Sequence, residues 1–174
     1  MVETEAADAT LVELARAGNR AAFGSLYERY RRLVHGILLA HASYCDSEDL
    51  MQTVFLRALQ RLPELRNTDA FGGWLAAMAR NAAFDHHRRR KNLVGIEEAR
   101  EPRGERNDDA ARALEAIRRL PEAYRETLML RLVEGMTGPE IATSTGLTPD
   151  SVRVNLCRGM KLLRAELEGK KMHA

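Results

Sequence analysis

Three groups of residues in this 174-residue sequence have the types and spacing to do chemistry. Asp46, Glu48 and Asp49 gather three carboxylates. His86 and His87 lead into Arg88, Arg89, Arg90 and Lys91, and the stretch Thr137 to Lys161 ends on Asp150, Ser151, Arg153, Val154, Arg158 and Lys161. Carboxylates and imidazoles together could run acid–base catalysis or hold a divalent metal. Neither is expected here. Neighbouring histidines on a helix point about 100° apart, and no nearby ligand spacing completes a metal site. The carboxylates have no histidine, serine nucleophile or glycine-rich phosphate loop with them. They suit a helix start instead: the Ser47 hydroxyl is expected to cap an orphan N–H, with Glu48 and Asp49 favoured by the positive end of the dipole. No catalytic residue, metal or cofactor is expected.

The cationic groups suggest a polyanionic partner. A formal net charge of +2 does not by itself announce nucleic acid, so the placement of charge carries the argument. An acidic start (Glu3, Glu5, Asp8) contrasts with the run His86 to Lys91 and with a basic last helix bearing Arg153, Arg158, Lys161 and Arg164. Arg and Lys in the first run would hold phosphate electrostatically without reading sequence, although cations also suit the negative end of a helix dipole. Thr137 to Lys161 reads as a short helix, a turn holding Gly146 and a second helix, with small Ala142 where the two must approach. That is the layout of a helix-turn-helix. Asp150, Ser151, Arg153, Val154, Arg158 and Lys161 fall away from the apolar stripe of the second helix, where a major groove could receive them. An ordinary helical hairpin with a solvated basic face would share this pattern.

The elements that position these groups read as helices throughout. Hydrophobic residues make up 45% of the chain and aromatic ones 5%, enough for real cores and a composition that favours helix over sheet. Leu11 to Ala17 predicts a short helix stopped by Gly18. From the expected N-cap Asn19, Phe23, Leu26, Tyr27, Tyr30, Val34, Ile37, Leu38 and His41 form one stripe. A helix from Ser47 to Leu62 is expected to bury Leu50, Val54 and Ala58, with Met51, Phe55 and Leu59 beside them, and to stop at Pro63. After a polar loop from Glu64 to Thr68, Phe71, Trp74, Leu75, Met78, Ala79 and Ala82 give a fourth stripe that continues into the basic run. Four helices in ninety residues predict a compact bundle.

Between Asn92 and Asp109 the periodicity fails around Gly95, Pro102 and Gly104, which predicts a flexible linker and hence two domains. Helices resume at Ala110 with Leu114, Ile117 and Leu120. Pro121 suits the first turn of the next helix, which carries Tyr124, Leu128 and Leu132 to a stop at Gly135. Thr137 and Glu140 have capping-box spacing. Thr148-Pro149 opens the last helix, with Val152, Leu156, Met160, Leu163 and Leu167 inward. Cys45 and Cys157 lie far apart and outside any paired spacing, which indicates a reduced compartment without disulfide or zinc. The longest apolar stretch, around Ile37 to Ala40, is far short of a membrane span, and the acidic start is no signal peptide. A cytoplasmic protein with no membrane insertion of its own is expected.

Three separated segments carry a resemblance: Ser47-Glu-Asp-Leu-Met-Gln52-Thr-Val-Phe55, Phe71-Gly-Gly-Trp74-Leu-Ala-Ala-Met-Ala-Arg80-Asn81 and Leu120-Pro-Glu-Ala-Tyr-Arg125. With the helix-turn-helix they resemble, from about residue 10 to 168, the extracytoplasmic-function class of bacterial RNA polymerase sigma factors. The resemblance implies an all-α fold of two small helical domains: a four-helix region-two-like bundle (1–91), a linker (92–109) and a region-four-like helix-turn-helix domain (110–174). It also implies binding of core RNA polymerase, promoter recognition and melting, transcription initiation, and inhibition by an anti-sigma factor. By position, Asp49, Gln52 and Phe55 match the helix that meets the polymerase clamp. Leu65, Arg66, Asn67, Thr68, Asp69, Phe71 and Asn81 match the part that captures a flipped minus-ten base, with Arg88, Arg89 and Arg90 on the adjoining phosphates. The recognition-helix residues from Asp150 to Lys161 match the minus-thirty-five reader. Leu65 stands where some members carry an aromatic residue.

With the last helix ending near residue 168, no added C-terminal sensory domain is expected, so regulation would come from outside. Two rival readings stay open on the residues alone. One is a regulator whose helix-turn-helix acts on polymerase without joining it; the other is an enzyme with a DNA-binding appendage that uses His86, His87 and the carboxylates near Asp49.

Overall fold

Helices begin where short polar side chains can take up orphan backbone donors. Asn19 Oδ1 accepts the Ala22 N–H at 3.1 Å, the Ser43 hydroxyl accepts that of Asp46 at 3.1 Å, and Thr137 with Glu140 closes a reciprocal capping box. The first helix of the chain and the first helix of the helix-turn-helix end next to glycines in the left-handed conformation, Gly18 (φ 90°) and Gly146 (φ 75°).

The computed structural model describes residues 7–94 and 108–171. The acidic residues Glu3 and Glu5, the linker residues Gly95, Pro102 and Gly104, and the side chains of Arg90 and Lys91 lie outside the described residues. Among the described residues there is no strand, and no helix is long and apolar enough to cross a membrane. The first domain holds α1 (Asp8–Arg16), α2 (Arg20–His41), α3 (Tyr44–Arg61) and α4 (Phe71–Val94), with two 3-10 turns, Leu62–Glu64 and Thr68–Ala70, between the last two. The second holds α5 (Asp108–Arg118), α6 (Glu122–Leu128) running into a π turn at Met129–Val133, α7 (Gly138–Thr145) and α8 (Pro149–Lys171).

Five expectations need correction, the first being that Leu59 lies beside the buried face of its helix, where it is instead 45% exposed. The third helix starts at Tyr44, not Ser47, because Ser43 and Asp46 cap each other. Ser47 is instead buried, with its hydroxyl donating to the Tyr44 carbonyl at 2.7 Å. Helix also overruns both ends of the expected linker, reaching Val94 and resuming at Asp108. The π turn adds a residue to one turn and shifts the stripe of α6. Met129 and Leu130 therefore enter the core while Leu132 points outward. In α8, Met160 is exposed because Gly159, not Met160, faces Tyr124 and Leu128: a Cβ on Gly159 would lie 3.0 Å from Leu128 Cδ1.

The first domain is a bundle around Leu26, Leu33, Val34, Ile37, Leu38, Phe71 and Leu75, all essentially without solvent contact. Tyr30 meets Phe71 edge-on at 5.3 Å between ring centres, and its hydroxyl reaches Asp8. Burial and that hydrogen bond push the Tyr30 phenol well above its ordinary range. The second half of α2 is buried on every side. Ile37 and Leu38 belong to the first core, whereas Leu39 and Ala40 pack into the second with Ile117, Leu128, Met129 and Leu163. A helix apolar all round needs partners on all faces, and here both domains supply them.

Candidate nucleic-acid interface

On α3, Asp49 and Gln52 are exposed and share an outer face with Leu56, which is 58% exposed. Phe55 does not join them. It is buried against Tyr27, 4.6 Å between ring centres, so it braces this face from behind. The stripe Asp49, Gln52, Leu56, Leu59 was not assembled from the sequence, although its i, i+3, i+7 spacing and two solvent-facing leucines are the signal that could have found it.

The loop between α3 and α4 presents Arg66, Asn67 and Asp69 to solvent, with Thr68 half-buried. Asn67 Oδ1 accepts the Asp69 N–H at 3.1 Å, which fixes the 3-10 turn. Leu65 and Phe71 flank this loop from inside the core rather than from its surface. Leu65 is an anchor between two turns, and Phe71 stacks among Tyr30 and Trp74. Asn81 is exposed on α4, three residues past Met78, and Arg88 and Arg89 are exposed further along the same helix. Arg88 pairs with Asp85 at 2.9 Å, and His86 Nε2 lies 3.3 Å from the Asp46 carboxylate. His87 is exposed.

In the second domain the capping box and Gly146 set the angle between α7 and α8, with Ile141, Ala142 and Val152 closing the joint. Thr148 caps α8: its hydroxyl accepts the Ser151 N–H at 3.1 Å and meets the Ser151 hydroxyl at 2.8 Å. Asp150, Arg153, Val154, Arg158 and Lys161 are all exposed, and Arg153 pairs with Asp150 at 3.1 Å. Asn155 turns instead towards the Thr127 hydroxyl at 3.5 Å. The outward face of α8 can thus offer hydrogen-bond donors and cations to a groove, with its register fixed by the cap.

Glu126 is a carboxylate held between the domains. It is 13% exposed, accepts from Arg80 Nε and Nη2 at 2.7–3.0 Å, and has His41 Nε2 at 3.2 Å from Oε1. Burial alone would raise its pKa, but the hydrogen bonds from His41 and Arg80 hold it below the ordinary carboxylate value, while Arg80 moves up. His41, Glu122 and Glu126 are close enough to share a cation. The Arg80 fork already occupies the shared carboxylate, so a metal would have to displace a cation to enter.

Residues 26–93 match the family model of Sigma-70 region 2, and residues 110–163 match that of Sigma-70, region 4. The chain is 30% identical over 166 residues to ECF RNA polymerase sigma factor BldN of Streptomyces coelicolor, covering 88% of this chain and 63% of BldN. It is also 30% identical over 162 residues to RNA polymerase sigma factor CarQ of Myxococcus xanthus, covering 88% of this chain and 93% of CarQ. The chain belongs to the extracytoplasmic-function sigma factors.

This sigma-factor chain spans less than two thirds of BldN's length. Its fold is similar to that of CnrH in complex with the cytosolic domain of CnrY, with a TM-score of 0.66 and 26% identity over 94% of this chain and 99% of that one. As a sigma factor it is a regulatory protein, and one of its two family regions falls in each of the helical domains described above.

Proposed function

We propose that this chain joins core RNA polymerase and directs it to promoters, where it recognises and melts the DNA to start transcription. The observation that supports this reading is the pairing, on one chain, of a capped helix-turn-helix with an exposed recognition face and a helical bundle presenting the Asp49–Gln52–Leu56 stripe. Residues 1–91 take the polymerase clamp and the minus-ten element, 92–109 form the tether, and 110–174 take the minus-thirty-five element.

Asp49 and Gln52 meet polymerase, with Phe55 bracing them. Arg66, Asn67, Thr68, Asp69 and Asn81 surround an extruded minus-ten base whose edges are read once unstacking is offset by new contacts. Leu65 and Phe71 shape that loop from below, and Arg88, Arg89 and Arg90 hold phosphates. Asp150, Ser151, Arg153, Val154, Arg158 and Lys161 read the minus-thirty-five groove. The protein acts by binding and positioning, without catalysis of its own, in the cytoplasm with the polymerase. As CnrH is found with the cytosolic domain of CnrY, this chain is proposed to be held by an inhibitory protein partner.

The test is transcription in vitro with core enzyme and a pool of upstream regions from the same genome. Initiation at a defined subset only when the chain is added is the expected result. Duplex binding by the chain alone, at a palindromic site and with no initiation, would favour a polymerase-independent regulator instead.

A further inference from the structure

The roles assigned above leave α1 without a task, yet this helix packs on both 3-10 turns that bracket the proposed minus-ten loop. Its apolar side is ordinary core, with Val12 fully buried and Leu11 and Ala15 nearly so. Its two polar ends hold the loop. At the C-terminal end, Arg16 Nε donates at 3.1 Å to the Leu62 carbonyl, the same oxygen that accepts the Leu65 N–H at 3.2 Å and closes the first turn. At the N-terminal end, Asp8 is the first residue of α1, where the helix dipole favours a carboxylate. One of its oxygens accepts from the Tyr30 hydroxyl and the other from Arg29. Tyr30 in turn is the bed on which the chain leaves the loop. A Cβ on Gly72 would lie 2.7 Å from Tyr30 Cε1 and 3.0 Å from its hydroxyl oxygen, so the first turn of α4 rests its backbone on the ring.

We infer that α1 is a strut that positions the base-reading loop: Arg16 fixes where the loop leaves the bundle, the Asp8–Tyr30 pair fixes where it returns, and the helix between them sets the separation. Arg16, Asp8 and Tyr30 are positioning residues, since none of them belongs to the loop. What the strut serves rests on the proposed minus-ten role; its hold on the loop does not. Eight residues of α-helix place Asp8 and Arg16 about 12 Å apart along a stiff rod. The loop's own bond, from the Asp69 N–H to Asn67 Oδ1, fixes the shape of its second turn but not where that turn sits relative to Asn81 on α4. Reading a base edge requires polar groups held within about 0.5 Å of their working geometry by supporting contacts. Arg66, Asn67 and Asp69 are exposed, so their support comes through the ends of the segment. Loosening either end should therefore blur the choice of base while leaving the polymerase-facing stripe of α3 and the recognition face of α8 untouched.

The test uses the full chain and two measurements. Hydrogen exchange of the Asp69 and Ala70 amides, both bonded within the loop to Asn67, reads the loop directly. Initiation with core enzyme, at a promoter from the upstream pool carrying each of the four bases at the captured position, reads what the loop does. Arg16→Met removes the donor at one end; Tyr30→Phe removes the hydroxyl at the other and keeps the ring. Each should speed exchange of both amides by about fivefold, the scale of one lost hydrogen bond, and shrink the preference for the best base by a similar factor. Asp8→Ala should do the same, whereas Asp8→Asn keeps an oxygen for the Tyr30 hydroxyl and should stay near wild type in both. Glu28→Gln, on the exposed side of α2, should change nothing. Core affinity, discrimination among minus-thirty-five sequences and exchange in α8 should hold at wild-type values throughout. Unchanged loop exchange in Arg16→Met, with helical circular dichroism intact, would overturn the strut even if Tyr30→Phe failed to fold. Faster exchange with the base preference preserved, or a loss of initiation equal for all four bases, would overturn the positioning role. If wild type initiated at no promoter, the sigma reading would fail while exchange still decided whether α1 holds the loop.

Discussion

Replacing Phe71 with Ala separates a core role from a DNA-contacting role at a position that the family pattern alone assigns to DNA. The ring is 0% exposed, meets Tyr30 edge-on and lies 5.9 Å from Trp74. Removing a fully buried Phe loses its transfer free energy and leaves a cavity, at a cost of about 3–5 kcal/mol. For a chain of this size that lowers the melting temperature by roughly 6–20 °C. Trp74 is the chain's single tryptophan and sits in the same core. Its fluorescence therefore follows unfolding of the first domain without interference from the second. Urea titration read by Trp74 should show a clear drop in midpoint for Phe71→Ala, whereas exposed Asn81→Ala should stay within about 0.5 kcal/mol of wild type. Initiation by Phe71→Ala should recover on cooling as the fold recovers, while that of Asn81→Ala should not. An unchanged midpoint for Phe71→Ala together with lost promoter opening would refute the burial argument and return the ring to the DNA surface.

Thr137→Ala removes one half of the capping box and should cost about 1 kcal/mol, read as roughly fivefold faster hydrogen exchange of the first α7 amides. Alanine at Arg158 or Lys161 should weaken binding of holoenzyme to promoter duplex and lower the slope of log affinity against log salt by about one for each phosphate no longer neutralised. The depressed pKa of Glu126 makes its contribution to the contact between the domains present above the ordinary value of 4.5 and progressively lost as pH falls below it through the lower value in the folded chain. Energy transfer between labels on Cys45 and Cys157, one exposed thiol in each domain, should accordingly drop as pH is lowered below 4.5. Glu126→Gln, already lacking the charge, should start lower and lack that component, and an identical profile in both proteins would count against the assignment.

Local signals were the legible ones. Asn19, the Thr137–Glu140 pair, Gly18 and Gly146 each act within four residues of chain, so the sequence displays the whole interaction. The outward residues of α8 were equally readable, since periodicity separates them from Val152 and Leu163. Ser43 and Ser47 both precede carboxylates, and only three-dimensional geometry shows that Ser43 caps while Ser47 is swallowed by the core. Periodicity placed Phe55 and Phe71 on apolar stripes while the family motif assigned them, with Leu65 in a loop without periodicity, to the partner: a motif marks positions that matter without saying whether a side chain touches the partner or supports one that does. The interdomain pairs were out of reach altogether. Arg80 and Glu126 stand 46 residues apart and Arg32 and Glu134 102 apart, and isolated charges on half-exposed helix faces leave no periodic trace. The apolar run from Ile37 to Ala40 was read only as too short to span a membrane, and the single stripe expected for this helix did not show that a second domain covers its other faces.

The π turn at Met129–Val133 also sets the phase of Glu126 and Glu134, which meet His41 and His35 of α2. Eight residues of ordinary helix would leave Glu126 and Glu134 about 80° out of line. Five residues wound with i to i+5 bonds advance by roughly 85° each, which brings the two nearly onto a common azimuth. The slack coil thus works as a vernier: seven residues of ordinary helix would leave the two carboxylates only about 20° apart, and the wide turn takes up the eighth residue without swinging them out of line.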